Sequence, residues 1–282
     1  MSAADLSSGK SDGDENFPVA SWLIAKRHRP AVLGFYRFAR TADDVADHAS
    51  APPEKKLRLL ETMRASLAGE STASREGAQL RAILAAHGLA STHAFELLEA
   101  FRRDVTQLRY ADWDELMDYC RYSAMPVGRF MLDVHGESQS TWPASDALCS
   151  ALQIINHLQD CAKDFRSLDR VYIPLDTGID LDDLAKDKAT PALRAIITAL
   201  THRTAGLLVQ SKSFAAQIRD ARLALDVSVI QTLAEDLIAK LLANDLLCQR
   251  VHHTKFRAAL LLVPGFGHFL ASRFHSKHGP AA

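Results

Sequence analysis

Apolar residues recur every three or four positions along most of this chain, whereas the strict alternation typical of strands is scarce. This period predicts α-helices, and prolines and glycines mark their ends, as at Pro52-Pro53, Gly88 and Gly136. The predicted helices cover residues 18–48, 53–69, 74–87, 92–109, 112–136, 144–167, 190–219, 224–252 and 255–275. We therefore expect an all-α protein.

The predicted helices are not divided by a linker, and 282 residues are enough to bury one sizeable core. Residues 1–15 are polar and acidic without an apolar signal segment, so we expect a disordered tail there. Residues 16–282 are expected to form one all-α domain. The longest irregular stretch, residues 169–189, directly follows a predicted helix and is a candidate lid.

Two predicted helices carry polar residues at one-turn spacing. The first ladder, as we call it below, comprises Tyr36, Arg40, Asp43 and Asp47. The second ladder comprises Gln153, Asn156, Asp160 and Asp164. At about 100° per residue, each set occupies one narrow stripe of its helix. Because the second helix is otherwise strongly apolar and buried carboxylates need cations or donors, these stripes predict a polar site.

Each ladder ends in two aspartates four residues apart, which project from the same helix face. Like charges at this spacing repel, and a cation would compensate them. Magnesium prefers oxygen ligands and binds one or two carboxylates together with substrate phosphates. Either pair alone is equally well explained as a solvated helix face. Two pairs, each in an apolar helix, favour a metal–diphosphate site.

The stretch YCRYSAMPVGRFMLDVHG lies between the two ladders. Its residues Ala124 and Gly128 are small and one turn apart, and Pro126 removes a backbone donor, which predicts a kink. Small side chains beside a kink leave room for a long apolar ligand. Close packing of two helices requires the same small residues, and taken alone this stretch favours close packing.

Composition narrows the class of protein further. The formal net charge of −1 argues against a nucleic-acid binder. The apolar runs are shorter than the ~18 residues that span a bilayer. The cysteines lack metal-type spacing, and we expect reduced thiols in a cytoplasmic protein: Cys120, Cys149, Cys161 and Cys248.

The order and spacing of these motifs resemble the squalene/phytoene synthase family from about Asn16 to Pro174. The matching motifs are YxxxRxxDDxxD at Tyr36–Asp47, the YC…VG helix at Tyr119–Gly128, and QxxNxxQDxxxD…RVYIP at Gln153–Pro174. Within the family, NFPVAS at Asn16–Ser21 and YCRYSAMPVGR resemble the bacterial hydroxysqualene synthase branch. The resemblance implies an isoprenoid synthase helical bundle in which the two ladders face each other across a central apolar cavity.

The resemblance also implies roles for individual residues. The ligands of Mg2+ with the diphosphate would be Asp43, Asp47, Asp160 and Asp164, assisted by Asn156. The residues that contact or shield the diphosphate would be Tyr36, Arg40, Arg170 and Tyr172. The residues lining the cavity in which a carbocation rearranges would be Tyr119, Ala124, Val127, Gly128 and Gln153, with Tyr119 counted as catalytic. The aromatic rings that are candidates to stabilise the cation are Tyr36, Phe38, Tyr119 and Tyr122.

For the hydroxysqualene branch, the implied substrate is presqualene diphosphate, whose cation rearranges and is captured by water in squalene and hopanoid biosynthesis. Three alternatives stay open. One is condensation of two prenyl diphosphates, such as farnesyl diphosphate, to presqualene diphosphate or phytoene. The others are NADPH-dependent hydride capture and a non-catalytic assembly factor. The pathway also suggests weak association with neighbouring enzymes.

Two features depart from the family pattern. The residues DGDENF at 12–17 replace a histidine and serines that relatives often carry near the N-terminus, which puts an N-terminal diphosphate contact in doubt. Gln159 stands where many relatives have arginine before the first aspartate of the second ladder. This change suggests a differently arranged diphosphate site, or an enzyme that acts on a single diphosphate.

Three further signals have ordinary interpretations. The histidines, including His157, read as surface or packing residues because they lack a coordination pattern. The stretch Arg102-Arg103-Asp104 with Arg109 and Tyr110 reads as a solvated helix face. The C-terminal segment RAALLLVPGFGHFLASRFHSK, residues 257–277, is apolar and basic, and predicts either closure of the bundle mouth or peripheral contact with the inner membrane face.

Overall fold

A computed structural model describes residues 24–278. Its helices are α1 (Arg29–Asp47), α2 (Pro53–Ala68), α3 (Arg75–His87), α4 (Thr92–Thr106), α5 (Trp113–Ser123), α6 (Met125–His135), α7 (Trp142–Leu168), α8 (Pro191–Gln210), α9 (Phe214–Gln217), α10 (Ala221–Ala243) and α11 (Lys255–His278). Strands are absent from this range, which confirms the all-α prediction. The predicted tail and the NFPVAS motif lie outside the described residues.

Two apolar clusters hold the bundle together. The first joins α1 to α4 through residues such as Phe38, Met63 and Leu97. The second joins α5, α7, α8 and α10 through residues such as Ile155 and Leu237. Helix α6 packs against α7 and α4 and so connects the two clusters. Among the described helices, none is both long and apolar enough to cross a bilayer.

The single helix predicted over residues 112–136 is two helices, because the chain breaks at Ala124. Pro126 lies in the first turn of α6, where its missing N–H costs nothing. The helices predicted over 190–219 and 224–252 also differ from those observed. The first ends at Gln210 and continues as a short 3-10 turn and α9, and the second runs from Ala221 to Ala243. Asp220 starts α10 by accepting hydrogen bonds from two backbone N–H groups.

Helix α7 ends in a tight reversal at Asp169, the one non-glycine residue with positive φ (52°) in the described chain. The Asp169 N–H donates to the carbonyl of Phe165, and the guanidinium of Arg109 contacts the Asp169 carboxylate at 2.5 Å. The next residue, Arg170, donates its N–H to the carbonyl of Asp164. The chain therefore turns back within one residue of the helix end.

The candidate lid does not cover the cavity described below. Its first part is pinned to the α4–α5 connection, with the Val171 N–H donating to Leu108 and the Leu175 N–H to Tyr110. Farther along, Leu184 is fully buried. Only Arg170 and Tyr172 of this segment line the cavity. The segment forms part of the wall because its apolar side chains complete the core.

Candidate active site

A cavity of about 1150 Å3 opens between α1, α4, α5, α6 and α7. The chain after α10, residues 246–252, forms part of its wall. Of the residues predicted for the site, those that line it are Arg40, Asp43, Asp47, Tyr119, Val127, Gln153, Asn156, Asp160, Asp164, Arg170 and Tyr172. Both ladders thus contribute to one cavity.

The cavity has an acidic end and a less polar end. Along α4 the lining residues run from Leu97 through Phe101 to Asp104. Along α7 they run from Gln153 to Asp164, which is about 16 Å at the rise of an α-helix. This length suits a long ligand, and an anionic head group would fit at the acidic end only together with cations that balance the carboxylates.

The first ladder is held by arginines. Arg40 bridges Asp43 at 3.0 Å and Asp44 at 2.7 Å on its own helix. Arg170, which is buried, reaches from beyond α7 to Asp47 at 2.5 Å and donates a second hydrogen bond to the carbonyl of Ala46 at 2.9 Å. Burial in the cavity, together with the charge of Asp47, raises the pKa of Asp43 to about 7.

The second ladder has far less positive charge. Asp160 contacts Lys163 at 3.7 Å, and that lysine is 65% exposed. The carboxylate of Asp164 forms no hydrogen bond or ion pair with any residue in the described range. Burial, followed by the charge of Asp160, raises the pKa of Asp164 to about 7. The negative charge of these two carboxylates is therefore not balanced by the described side chains around them.

The donor set fits a divalent cation that is shared with a ligand. Between residues 24 and 278, no three histidine, cysteine, aspartate or glutamate side chains form a ready-made metal cluster. The site instead presents two separate pairs of carboxylates, and in each pair burial and then the charge of the neighbouring aspartate raise the pKa of one member, Asp43 or Asp164. A hard cation that also takes oxygens from a phosphate would satisfy both pairs.

Asp104 is a central residue that the sequence interpretation missed. It is buried, and it accepts hydrogen bonds from Tyr119 at 3.1 Å and from Tyr172 at 2.8 Å. Burial raises its pKa to about 6, against the opposing effect of Arg170. The prediction of a solvated helix face was wrong for Asp104 and for Tyr110, which is 1% exposed and stacks on Tyr172.

A signal for Asp104 was present in the sequence. Leu97, Phe101 and Asp104 fall at offsets of 0, 4 and 7, so that the aspartate continues an apolar helix stripe. Arg102 lies off this stripe and is half exposed, as the sequence interpretation held.

His157 also lies on the cavity wall, where its imidazole stacks on the ring of Tyr172 with centroids 3.4 Å apart. Burial and the nearby Arg170 lower the pKa of His157 to about 3. The predicted packing role is correct for its ring, but one of its nitrogen atoms also has a polar neighbour. Gln153 lies 3.0 Å from its Nε2.

Some predicted site residues lie elsewhere. Tyr36, Ala124 and Gly128 are not among the described residues that line the cavity. Gly128 packs α6 against α7, where an added Cβ would lie 2.4 Å from Ser145 Oγ and 2.6 Å from Cys149 Sγ. The close-packing interpretation of this glycine is therefore the correct one.

Two of the candidate aromatic rings also point away from the cavity. Phe38 is buried in the apolar cluster of α1 to α4. Tyr122 stacks beneath the guanidinium groups of Arg103 and Arg121. Of the four rings, Tyr119 is the one that lines the cavity among the described residues.

Gln159 has a structural contact that the sequence did not indicate. Its amide donates a hydrogen bond to the carbonyl of Val251 and lies 3.4 Å from Nδ1 of His252. It thereby connects α7 to residues 246–252, the part of the wall that follows α10. An arginine at this position would add a charge to the site, whereas Gln159 joins two parts of the wall.

A helical bundle whose acidic helix faces meet at one end of a deep cavity is the architecture of an isoprenoid synthase. The chain belongs to the squalene/phytoene synthase family, which it matches over residues 11–257. This membership confirms the resemblance noted from the motifs.

Within that family, the chain is similar to proteins that are named hydroxysqualene synthase. The chain is 54% identical to the hydroxysqualene synthase of Rhodopseudomonas palustris over 255 residues, which cover 89% of this chain and 87% of the relative. It is 53% identical to the hydroxysqualene synthase of Zymomonas mobilis over 261 residues, with 90% and 88% covered. The crystal structure of squalene synthase HpnC from Alicyclobacillus acidocaldarius superposes with a TM-score of 0.69 at 31% identity, covering 84% and 90%.

Proposed function

We propose that this protein is a Mg2+-dependent hydroxysqualene synthase, which converts presqualene diphosphate and water to hydroxysqualene and diphosphate. The observation that carries the proposal is the pair of aspartate ladders at one end of a long cavity. Two relatives that are more than half identical carry the name of this activity, which selects it among the reactions of the family.

The diphosphate would lie at the acidic end of the cavity. Asp43, Asp47, Asp160 and Asp164 would hold Mg2+, with Asn156 beside them. Bound there, Mg2+ supplies a Lewis acid that neutralises negative charge on the leaving diphosphate. Arg170 and Arg40 already balance part of the first ladder, so they keep its carboxylates in place before the ligand arrives.

The prenyl chains would occupy the length of the cavity beyond the acidic end. Leu97, Phe101 and Val127 line it there and exclude bulk water from the cation. The ring of Tyr119 is held in the cavity by its hydrogen bond to Asp104, and its face would stabilise positive charge. Tyr172 is fixed by the same carboxylate and shields the acidic end.

Product analysis tests the proposed function. The purified protein is given presqualene diphosphate or farnesyl diphosphate separately, each with and without Mg2+ and NADPH. We expect hydroxysqualene from presqualene diphosphate with Mg2+ alone. Product from farnesyl diphosphate would indicate a condensing enzyme, squalene that requires NADPH would indicate hydride capture, and no product in any arm would indicate a non-catalytic assembly protein.

We also propose that α11 brings the protein into contact with membranes, where substrate and product dissolve. Its apolar side chains are unusually exposed: Leu260 and Leu262 at 51%, Val263 at 75%, Phe266 at 49% and Leu270 at 41%. Basic residues such as Arg257 and Arg273 belong to the same segment and favour an anionic surface. Flotation with anionic liposomes should carry the protein upward, and Val263→Glu with Phe266→Glu should abolish this; wild-type protein that stays at the bottom would contradict the proposal.

A further inference from the structure

One polar pair on the cavity wall lies outside the acidic end. Gln153 and His157 are one turn apart on α7 and both line the cavity. The amide nitrogen of Gln153 lies 3.0 Å from Nε2 of His157. With nitrogen on both sides, the amide N–H donates and the ring nitrogen accepts. The carbonyl oxygen of Gln153 is thereby left for another donor.

The orientation of this pair is fixed by the aromatic ring against which His157 packs. The imidazole of His157 is stacked on Tyr172 with an interplanar angle of 13°, and the hydroxyl of Tyr172 donates to the buried Asp104 at 2.8 Å. The ring therefore cannot turn without breaking the stack. Because His157 accepts from one side of the Gln153 amide, it also determines which atom of that amide is presented to the cavity.

A second polar group lines the same cavity from α5, which packs against α7. The hydroxyl of Ser123 is buried, and it has no hydrogen-bond partner within residues 24–278. Buried hydroxyl groups are nearly always satisfied, so an unsatisfied one in a cavity wall points to a small polar ligand. The hydroxyl of Ser123 and the carbonyl oxygen of Gln153 are thus two polar groups of the cavity wall to which a water molecule could bind.

The position of these groups along α7 matters. Gln153 lies seven residues before Asp160, which places it about 10 Å from the acidic end. A water molecule there would not touch the diphosphate. It would instead lie beside the prenyl chains.

We infer that Gln153, oriented by His157 and aided by Ser123, holds the water that captures the rearranged carbocation. This inference rests on the proposed function. A lone pair of the water oxygen forms the new C–O bond to the cationic carbon. The resulting oxonium group loses one proton to a neighbouring water molecule in the cavity, which relays it to an oxygen of the released diphosphate about 10 Å away, and no oxidant or reductant is involved. Gln153 touches a reacting atom, whereas His157 acts through Gln153 as a positioning residue.

The test measures how presqualene diphosphate is partitioned among products in 18O-labelled water with Mg2+. Gln153→Met keeps the side-chain length but removes the acceptor, and we expect the labelled alcohol fraction to fall about 5-fold. Hydrocarbon formed by proton loss should rise in its place while substrate consumption continues. His157→Phe keeps the stack on Tyr172 but frees the amide, so it should shift the products in the same direction.

Three further variants complete the test. His157→Gln restores an acceptor for the amide and should recover part of the alcohol fraction, which a merely structural role would not predict. Ser123→Ala should give a smaller shift than Gln153→Met. His202→Phe, at an exposed position on α8 outside the cavity, is the matched control and should leave the product ratio unchanged.

The outcomes separate the two proposals. A wild-type enzyme that forms no alcohol overturns the proposed function and the inference with it. Wild-type alcohol together with an unchanged alcohol fraction in Gln153→Met overturns the inference alone. If His157→Phe fails to fold, as judged by circular dichroism, Gln153→Met decides the matter by itself.

Discussion

The two aspartate ladders look alike in sequence but differ in how the fold treats their charge. In the first, Arg40 and Arg170 pair with the carboxylates of α1, at 3.0 Å for Asp43 and 2.5 Å for Asp47. In the second, the partner of Asp160 is an exposed lysine at 3.7 Å. One half of the site is thus set by ion pairs, and in the other half the carboxylates have only one weak, exposed partner among the described residues.

This difference suggests how such a site is built. A carboxylate pair that must bind a cation cannot be fully neutralised by the protein, or it would have no affinity left. If both pairs lacked partners, however, four unbalanced negative charges around one end of the cavity would weaken the empty fold. An asymmetric arrangement keeps one rigid half and one half that binds.

The largest expected effect is on catalysis at the second ladder, which lacks strong cationic partners in the described chain and is called the open half below. Asp164→Asn should lower the rate of diphosphate release about 10^3-fold, since it removes a proposed ligand of the charge-neutralising cation. It should also raise the melting temperature of the metal-free protein at pH 8. The carboxylate has a raised pKa, so its ionisation costs stability as the pH rises from about 4 to above 7.

Asp226→Asn is the matched control for this variant, because burial also raises the pKa of Asp226, to about 6, on α10 outside the cavity. It should raise the melting temperature at pH 8 and leave the rate unchanged. Full activity in Asp164→Asn would break the comparison between the ladders, since the open half would then not bind the cation.

The next effect tests the rigid half. Arg170→Met leaves the buried Asp104 and the neighbouring Asp47 without their cation and should lower the free energy of unfolding by about 3 kcal/mol. Urea denaturation measures this loss. Arg222→Met, at an exposed position of α10, should change it little. An equal, small effect of both variants would mean that the first ladder is no better held than the second.

The position of the open half depends on packing behind it, which Gly128→Ala tests. The added methyl group would meet Ser145 and Cys149 of α7 and should lower the free energy of unfolding by about 2 kcal/mol. Gly206→Ala in α8 meets no atom within 4 Å and should raise that free energy by about 0.5–1 kcal/mol. If Gly128→Ala is as stable as wild type and changes only the length of the bound substrate, the glycine lines the cavity after all.

The smallest effect concerns pH. Below pH 7 a cation must displace protons from Asp43 and Asp164, whose pKa values are raised to about 7. The Mg2+ concentration that half-saturates binding of inorganic diphosphate should therefore rise about tenfold per displaced proton for each unit below pH 7, and level off above it. Titration calorimetry measures this, and Asp164→Asn should flatten the dependence. A half-saturating concentration that is constant from pH 6 to 8 would argue against these aspartates as ligands.

The helix pattern and the ladders were predictable because each depends on spacing within one element. Asp43 and Asp164 were identified in that way, and the fold brings them to one cavity. The role of Asp104 was not, since its two tyrosine partners come from α5 and from the chain after α7. The packing of Gly128 against α7 likewise depends on which helix becomes its neighbour. A periodic pattern within one helix does not predict contacts between elements that are distant in sequence.

The reversal at Asp169 has a consequence for what the chain can tolerate. Arg170 reaches Asp47 only because α7 ends at Leu168 and the chain turns back at Asp169. Adding or deleting one residue between Asp164 and Arg170 would move the guanidinium by up to ~3.5 Å, beyond reach of its partner. Surface connections elsewhere can change in length, whereas the length of this short segment determines the distance between the two halves of the site.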